Sequence, residues 1–295
     1  IDEQGKLVPE LKLSIENAIT KQELEDIYLP FKVKRRTKAQ IAKEAGIEPL
    51  ALELMANPDQ EPEILAKQFI NIDCGFTDTK TVLDGARQIL MERFAEEAKL
   101  IGQLRYFYRE NCVLHSELIK DQESNGEKFQ DWFDFSESFL QIPSHRVLAI
   151  LRGRNEGILK VSLILPFELD DLRKNESHPC EQMIAKYFNI HFQGRPADKW
   201  LSDTVRWTWK VKVSTHLELD LMGELKDRAE EEAIRIFGKN LKDLLLAAPA
   251  GQHITMGIDP GIRTGCKIAV VDITGKLLET ATVYPHEPRK DWDGS

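Results

Sequence analysis

No apolar run in the 295 residues approaches the roughly 20 needed for a bilayer-spanning helix; none is longer than that in Leu244-Leu245-Leu246-Ala247-Ala248. Cysteine is scarce and scattered. Cys74, Cys112, Cys180 and Cys266 form no CxxC pair, which argues against a disulfide framework or a zinc site and suits a reducing cytoplasm. A positive excess is missing too. The formal net charge is −9, so the overall field repels polyanions and any phosphate-binding surface must be a local patch. Neither a basic start nor an apolar stretch occurs in Ile1-Asp2-Glu3-Gln4-Gly5, so no signal peptide is read there. With Ile in place of an initiating Met, the chain is expected to be cut from a longer cytoplasmic protein. What is present is ordinary for a globular chain: 42% hydrophobic and 30% charged residues, over a length that admits two domains.

The first 157 residues carry helical signals. Thr20-Lys21-Gln22-Glu23 forms a capping box, Leu24 and Ile27 follow on one face, and Pro30 ends that helix. A second box, Thr37-Lys38-Ala39-Gln40, predicts a helix through Ile41 and Ala45 toward Met55, bent near Pro49. A single long helix is expected from about Thr79 to Asn111, where Val82, Ala86, Ile89, Leu90, Phe94, Ala98, Ile101 and Leu104 recur three or four apart. Pro143-Ser144 is read as the cap of a shorter helix through Val147 and Leu151. One strand interrupts the helices, at 158–165, where Leu159, Val161, Leu163 and Leu165 alternate with Lys160 and Ser162. Helix resumes between Pro179 and Phe188.

After Asp203 the pattern is ambiguous, and a helix capped by Ser214 is preferred to a strand. Leu217, Leu221, Leu225, Ala229, Ala233, Phe237, Leu241 and Leu245 then fall four apart. Each such step advances about 40° on a 3.6-residue helix, so the stripe winds around a central helix that meets different neighbours along its length. Glu224 with Arg228 and Glu231 with Arg235 read as i,i+4 pairs on a solvated face. Pro249-Ala250-Gly251 marks a domain boundary, giving a helical region over 1–249 and a second domain from 250 to 295. The latter reads as three strands, 254–258, 266–271 and 277–284, with a tight turn at Thr274-Gly275. Three uncovered strands are a poor independent fold, so this domain is expected to be truncated.

Three constellations could carry chemistry. Lys32, Lys34, Arg35, Arg36 and Lys38 lie in a run without acids from Lys32 to Lys43, just before a capped helix start whose free N–H groups favour anions. The alternative is a solvated or acid-paired basic loop. Arg152-Gly153-Arg154 at a helix end, with Pro143-Ser144-His145-Arg146 nearby, could clamp a phosphate; basic residues at helix C-termini also have a purely structural role, which is favoured here. In Gly257–Gly265, Asp259 at a strand end could hold a metal, but two-metal hydrolysis needs several carboxylates. Asp272 lies at the far end of the next strand, and a simple Asp-Pro-Gly turn explains the segment as well. Trp200, Trp207, Trp209 and Trp132-Phe133-Asp134-Phe135 could stack on bases; core packing is the favoured reading. No motif asks for a cofactor.

Tyr28-Leu29-Pro30-Phe31-Lys32-Val33-Lys34-Arg35-Arg36-Thr37-Lys38-Ala39 resembles the signature of the bacterial transcription accessory protein Tex family. Ile142–Arg146, Arg152–Gly157 and Asn240–Pro249 do so as well. Gly257–Gly265 with Ala281–Pro285 is similar to the opening of that family's YqgF domain, of RNase H-like fold. The resemblance implies a mainly α fold: a multi-helical region with a long central helix, followed by the first three β-strands of a truncated RNase H-like α/β domain. It implies a non-catalytic transcription scaffold that binds RNA or DNA through the full-length protein, with RNA polymerase as a candidate partner and no membrane. Asp259 matches the first acid of the RuvC-like nucleases and is expected to be vestigial. The remaining alternatives are a metal-dependent nuclease completed by carboxylates beyond Ser295, and a purely protein-interacting helical module.

Overall fold

Caps and turns cut the helical signals into shorter pieces than their periodicity suggests. The computed structural model describes residues 1, 7–31, 36–169, 176–248, 251–261, 264–286 and 289–295. They form two compact units, Ile1–Ile234 and Arg235–Ser295. In the first unit, α1 (Pro9–Glu16) precedes α2 (Lys21–Tyr28). The box at Thr20 is formed: its hydroxyl accepts from the Glu23 N–H at 3.1 Å, and the Glu23 carboxylate accepts from the Thr20 N–H at 3.3 Å. A 3₁₀ turn over Leu29–Phe31, containing Pro30, closes α2.

The helix expected to bend at Pro49 is two helices, α3 (Lys38–Glu44) and α4 (Glu48–Ala56). Gly46 takes φ +80°, and the Ile47 N–H returns to the Ala42 carbonyl. This is a left-handed helix stop of the kind glycine makes accessible. Pro49 lies in the first turn of α4, where its missing N–H costs nothing. After α5 (Pro62–Ala66), the expected 79–111 helix is likewise two, α6 (Thr79–Ala95) and α7 (Ala98–Asn111). Its apolar spacing runs straight through the break at Glu96-Glu97. What departs from a helix is the backbone of Glu97, which is extended (φ −78°, ψ 97°), while its carboxylate accepts from the Tyr187 hydroxyl at 2.9 Å.

The single strand read from the sequence belongs to a three-stranded antiparallel sheet. β1 (Val113–Leu118) is central, between β2 (Asp134–Ser138) and β3 (Leu159–Ile164). Val113 pairs with Ser138 on one side and Ile164 on the other. β1 hides from a hydrophobic pattern because one inward residue is Ser116, fully buried and donating to the Trp132 carbonyl at 2.8 Å. β2 hides because Phe135 is its one apolar residue. Helix α8 (Ser144–Asn155) packs on this sheet through Gly153: a Cβ there would lie 2.6 Å from Leu159 Cδ1. The Tyr108 hydroxyl reaches from α7 to the Leu163 carbonyl at 2.8 Å.

Helix α9 (Pro179–Tyr187) leads to a helical run that is unbroken from Asp198 to Leu245: α10 (Asp198–Trp207), a π turn (Thr208–Val213) and α11 (Ser214–Leu245). Ser214 therefore starts no helix. Its hydroxyl donates back to the Lys210 carbonyl at 3.2 Å, as Thr204 does to Trp200 and Thr208 to Thr204. Such back-bonding loosens and bends helices. The four-residue stripe is buried at Leu217, Leu221, Leu225 and Ala229, then exposed at Phe237, Leu241 and Leu245, so neighbours cover only its first half among the described residues.

Glu224 and Arg228 do not lie on a solvated face. Glu224 accepts from Arg109 at 2.8 Å, and Arg228 donates to the Phe139 carbonyl. One turn earlier, Arg105 donates to Asp26 of α2 at 3.0 Å and to Asp220 of α11 at 3.2 Å. Burial pushes the Arg105 guanidinium down, but the two carboxylates more than offset this and hold it above the ordinary arginine range.

The second unit holds the end of α11 and an antiparallel sheet in the order β4 (Thr255–Asp259), β5 (Cys266–Val271), β6 (Leu277–Val283). These are the three strands the sequence indicates. At the β5–β6 turn the Asp272 carboxylate accepts from the N–H groups of Thr274 and Lys276, at 2.8 and 3.0 Å, and Gly275 takes φ +82°.

Two stability outcomes are expected. Arg105→Met leaves Asp26 and Asp220 without their shared cation and should cost about 3–5 kcal/mol in urea unfolding; a loss below about 1 kcal/mol would show that the triad does not hold α2. Gly153→Ala should destabilise by about 1–3 kcal/mol through overpacking against Leu159. Gly102→Ala, where an added Cβ meets nothing within 4 Å, should instead stabilise by about 0.5–1 kcal/mol.

Candidate nucleic-acid interface

Of the first basic constellation, Lys32, Lys34 and Arg35 lie outside the described residues. Arg36 donates to Glu44 at 3.0 Å from Nε, and Gln40 donates to the other oxygen of the same carboxylate at 3.1 Å. The Gln40 amide, then Arg36, hold the exposed Glu44 carboxyl below its usual range. Thr37 caps α3: it accepts from the Gln40 N–H at 3.0 Å and donates to Glu92 of α6 at 2.9 Å. The helix start thus carries a carboxylate behind its cap, and one of its free amides is already used. Lys38 is exposed and makes no hydrogen bond or ion pair among the described residues. It stands on a groove of about 620 Å³ shared with Phe76, Arg87, Gln88, Met91 and Trp207.

The second constellation is largely committed to structure. Ser144 donates to Glu232, Arg146 to Glu137 at 2.9 Å and Arg152 to Glu156 at 2.8 Å, while Gly153 is buried against Leu159. Arg154 and His145 are exposed. None of these residues lines the Lys38 groove. Asp259, at the end of β4, is exposed and pairs in register with Lys267 of β5. Asp272 sits at the other end of β5 and is spent on the turn. No cluster of three His, Cys, Asp or Glu suited to a metal ion occurs among the described residues. The four cysteines are free thiols, and burial pushes the Cys112 thiol up to about 12.

The aromatic candidates divide. Trp200 and Trp209 are core, 7% and 4% exposed, whereas Trp207 is 51% exposed. Trp207 opens a segment that the sequence reading passed over. From Thr204 to Leu217 there is no acid, and Arg206, Lys210, Lys212 and His216 are all present. The same scan for acid-free basic runs that singled out Lys32–Lys43 would have found it; attention to its helix-or-strand ambiguity hid its charge. The fold joins the two runs. Trp207 shares the groove with Lys38, and a second cavity of about 300 Å³ is lined by Leu29 and Thr37 together with Lys212 and His216, and by the carboxylates of Glu92 and Glu96. Arg206 and Lys210 turn toward a third, polar cavity beside Glu168, His178 and Glu181. There burial holds the Glu181 carboxyl above its usual range, against the pull of His178, Arg206 and Lys210.

Residues 57–237 match the family model described as Tex central region-like, and residues 253–295 match the Tex protein YqgF-like domain. The chain is similar to Protein tex of Bordetella pertussis, 49% identical over all of the chain and 38% of that protein. It is similar to the transcriptional accessory protein Tex of Neisseria gonorrhoeae, 50% identical over 97% of the chain and 37% of the relative. It is also similar to the human S1 RNA-binding domain-containing protein 1, 30% identical over 97% of the chain and 29% of that protein. The chain therefore spans less than two fifths of the length of these relatives. With more than half of its residues inside the central-region match and about half identical to the bacterial relatives, the chain belongs to the Tex family.

Proposed function

We propose that this chain is a non-catalytic, nucleic-acid-binding part of a transcription accessory scaffold. The observation that carries the reading is the meeting of two acid-free basic runs, 36–43 and 204–217, at shared cavities on a chain of net charge −9. Acids share these cavities, but Asp84 is paired with Arg87 and Glu92 accepts from Thr37, so in this reading a polyanion repelled by the rest of the surface is drawn to the lysines there. On the two shared cavities, Lys38 and Lys212 are exposed and hold no ion pair among the described residues. Support also comes from the names of two relatives, one a transcriptional accessory protein and the other a carrier of an S1 RNA-binding domain. RNA and DNA both satisfy this chemistry, and RNA polymerase is the candidate protein partner. In this reading Asp259 is a surface carboxylate and no catalytic group.

Binding of a labelled single-stranded RNA to the full chain, titrated at several salt concentrations by fluorescence anisotropy, tests the proposal. Lys38→Ala with Lys212→Ala should flatten the slope of log affinity against log salt by about 0.7 per lysine removed. Lys160→Ala, which removes a cation already paired to Glu117 at 2.6 Å, should leave the slope as it was. Equal slopes for all three proteins would refute the assignment.

A further inference from the structure

We infer that the groove beside Trp207 takes an unpaired nucleobase, so that the strand bound there is single-stranded. This inference rests on the nucleic-acid reading above and gives it a substrate class. The groove is largely apolar on Phe76, Met91 and Trp207, and its 620 Å³ accommodates a planar heterocycle. Trp207 is half exposed in a fold that buries Trp200, about two turns before it, and Trp209, two residues after it. Gly85 keeps the groove floor close: a Cβ there would meet Phe76 Cε1 at 2.8 Å.

The polar groups around the aromatic walls suit a base and its phosphate. Asp84, the acid in the groove, is paired with Arg87 at 2.7 Å and so does not face a ligand as a bare charge. Gln88 is partly exposed, and its carboxamide makes no hydrogen bond among the described residues, leaving a donor and an acceptor for a base edge. Lys38 stands on the same groove with no ion pair among the described residues. An exposed aromatic face beside a cation is an arrangement that binds single strands with little sequence preference, because every base offers a π face and the cation can meet the backbone. A duplex keeps its bases stacked on one another and cannot offer them to Trp207.

The experiment compares the full chain with Trp207→Ala and Trp207→Phe, using single-stranded and double-stranded RNA of one sequence. Trp207→Ala should weaken single-strand binding by about 5- to 100-fold, with little change for duplex, while Trp207→Phe should retain most of the affinity. RNA should quench wild-type tryptophan fluorescence more than that of the Phe variant. Thermal unfolding of both variants serves as the folding control. If Trp207→Ala keeps single-strand affinity, the stacking inference fails while the lysine-dependent slope still supports the broader reading. If Trp207→Ala weakens binding but the lysine variants keep the wild-type slope, the electrostatic reading fails and stacking stands. Equal loss on single strand and duplex overturns the single-strand assignment.

Discussion

The π turn at 208–213 is the constraint on which the rest of this surface depends. A π turn is a single wide turn within an α-helix, and such bulges recur at functional sites. Here it sits inside an unbroken helical run, with Thr204, Thr208 and Ser214 each returning a hydroxyl to a carbonyl four residues back. The altered phase lets Trp209 and Val213 pack inward while Trp207, Lys210 and Lys212 lie outward. A uniform α-helix through the same residues would present a different set of side chains to Lys38 and Thr37.

How much of this was legible depended on whether the determining interaction was local. The box at Thr20, the α3 cap at Thr37 and the three strands of the second unit follow from neighbours in sequence, and all were readable. The stop at Gly46 was readable in principle, since glycine three residues before Pro49 is a strong boundary signal; the apolar continuity through Ile47 and Leu50 outweighed it. The break at Glu96-Glu97 was not, because nothing in the residue types opposes helix there. β1 and β2 escaped because a buried serine and a lone phenylalanine do not make an alternating pattern. The site divides the same way: an acid-free basic run can be read from a string of letters, but its juxtaposition with Trp207 is made by packing between segments about 170 residues apart.

The geometry also revises why the basic run would matter. Arg36 is bound to Glu44, and the Thr37 cap is backed by Glu92, so the helix start contributes less attraction than its sequence suggests. In the proposed reading the attraction comes instead from Lys38 and Lys212, which stand on separate elements and line neighbouring cavities. A surface of that kind tolerates loss of one lysine better than loss of the packing that brings the runs together, which passes through α6: it carries Glu92, Arg87 and Met91 and lies between the two.

Arg105 has a further consequence for how the chain acquires its structure. Its carboxylate partners lie 79 residues before it and 115 residues after it. As the polypeptide leaves the ribosome, Asp26 emerges long before its cation, and Asp220 emerges later than both. Since domains generally fold as units during synthesis, α2 gains its long-range ion-pair partner only once Arg105 has been made, and the triad is complete only after Asp220, in the second turn of α11. A ribosome pausing between these points would hold α2 without one or both of the partners that tie it to α7 and α11.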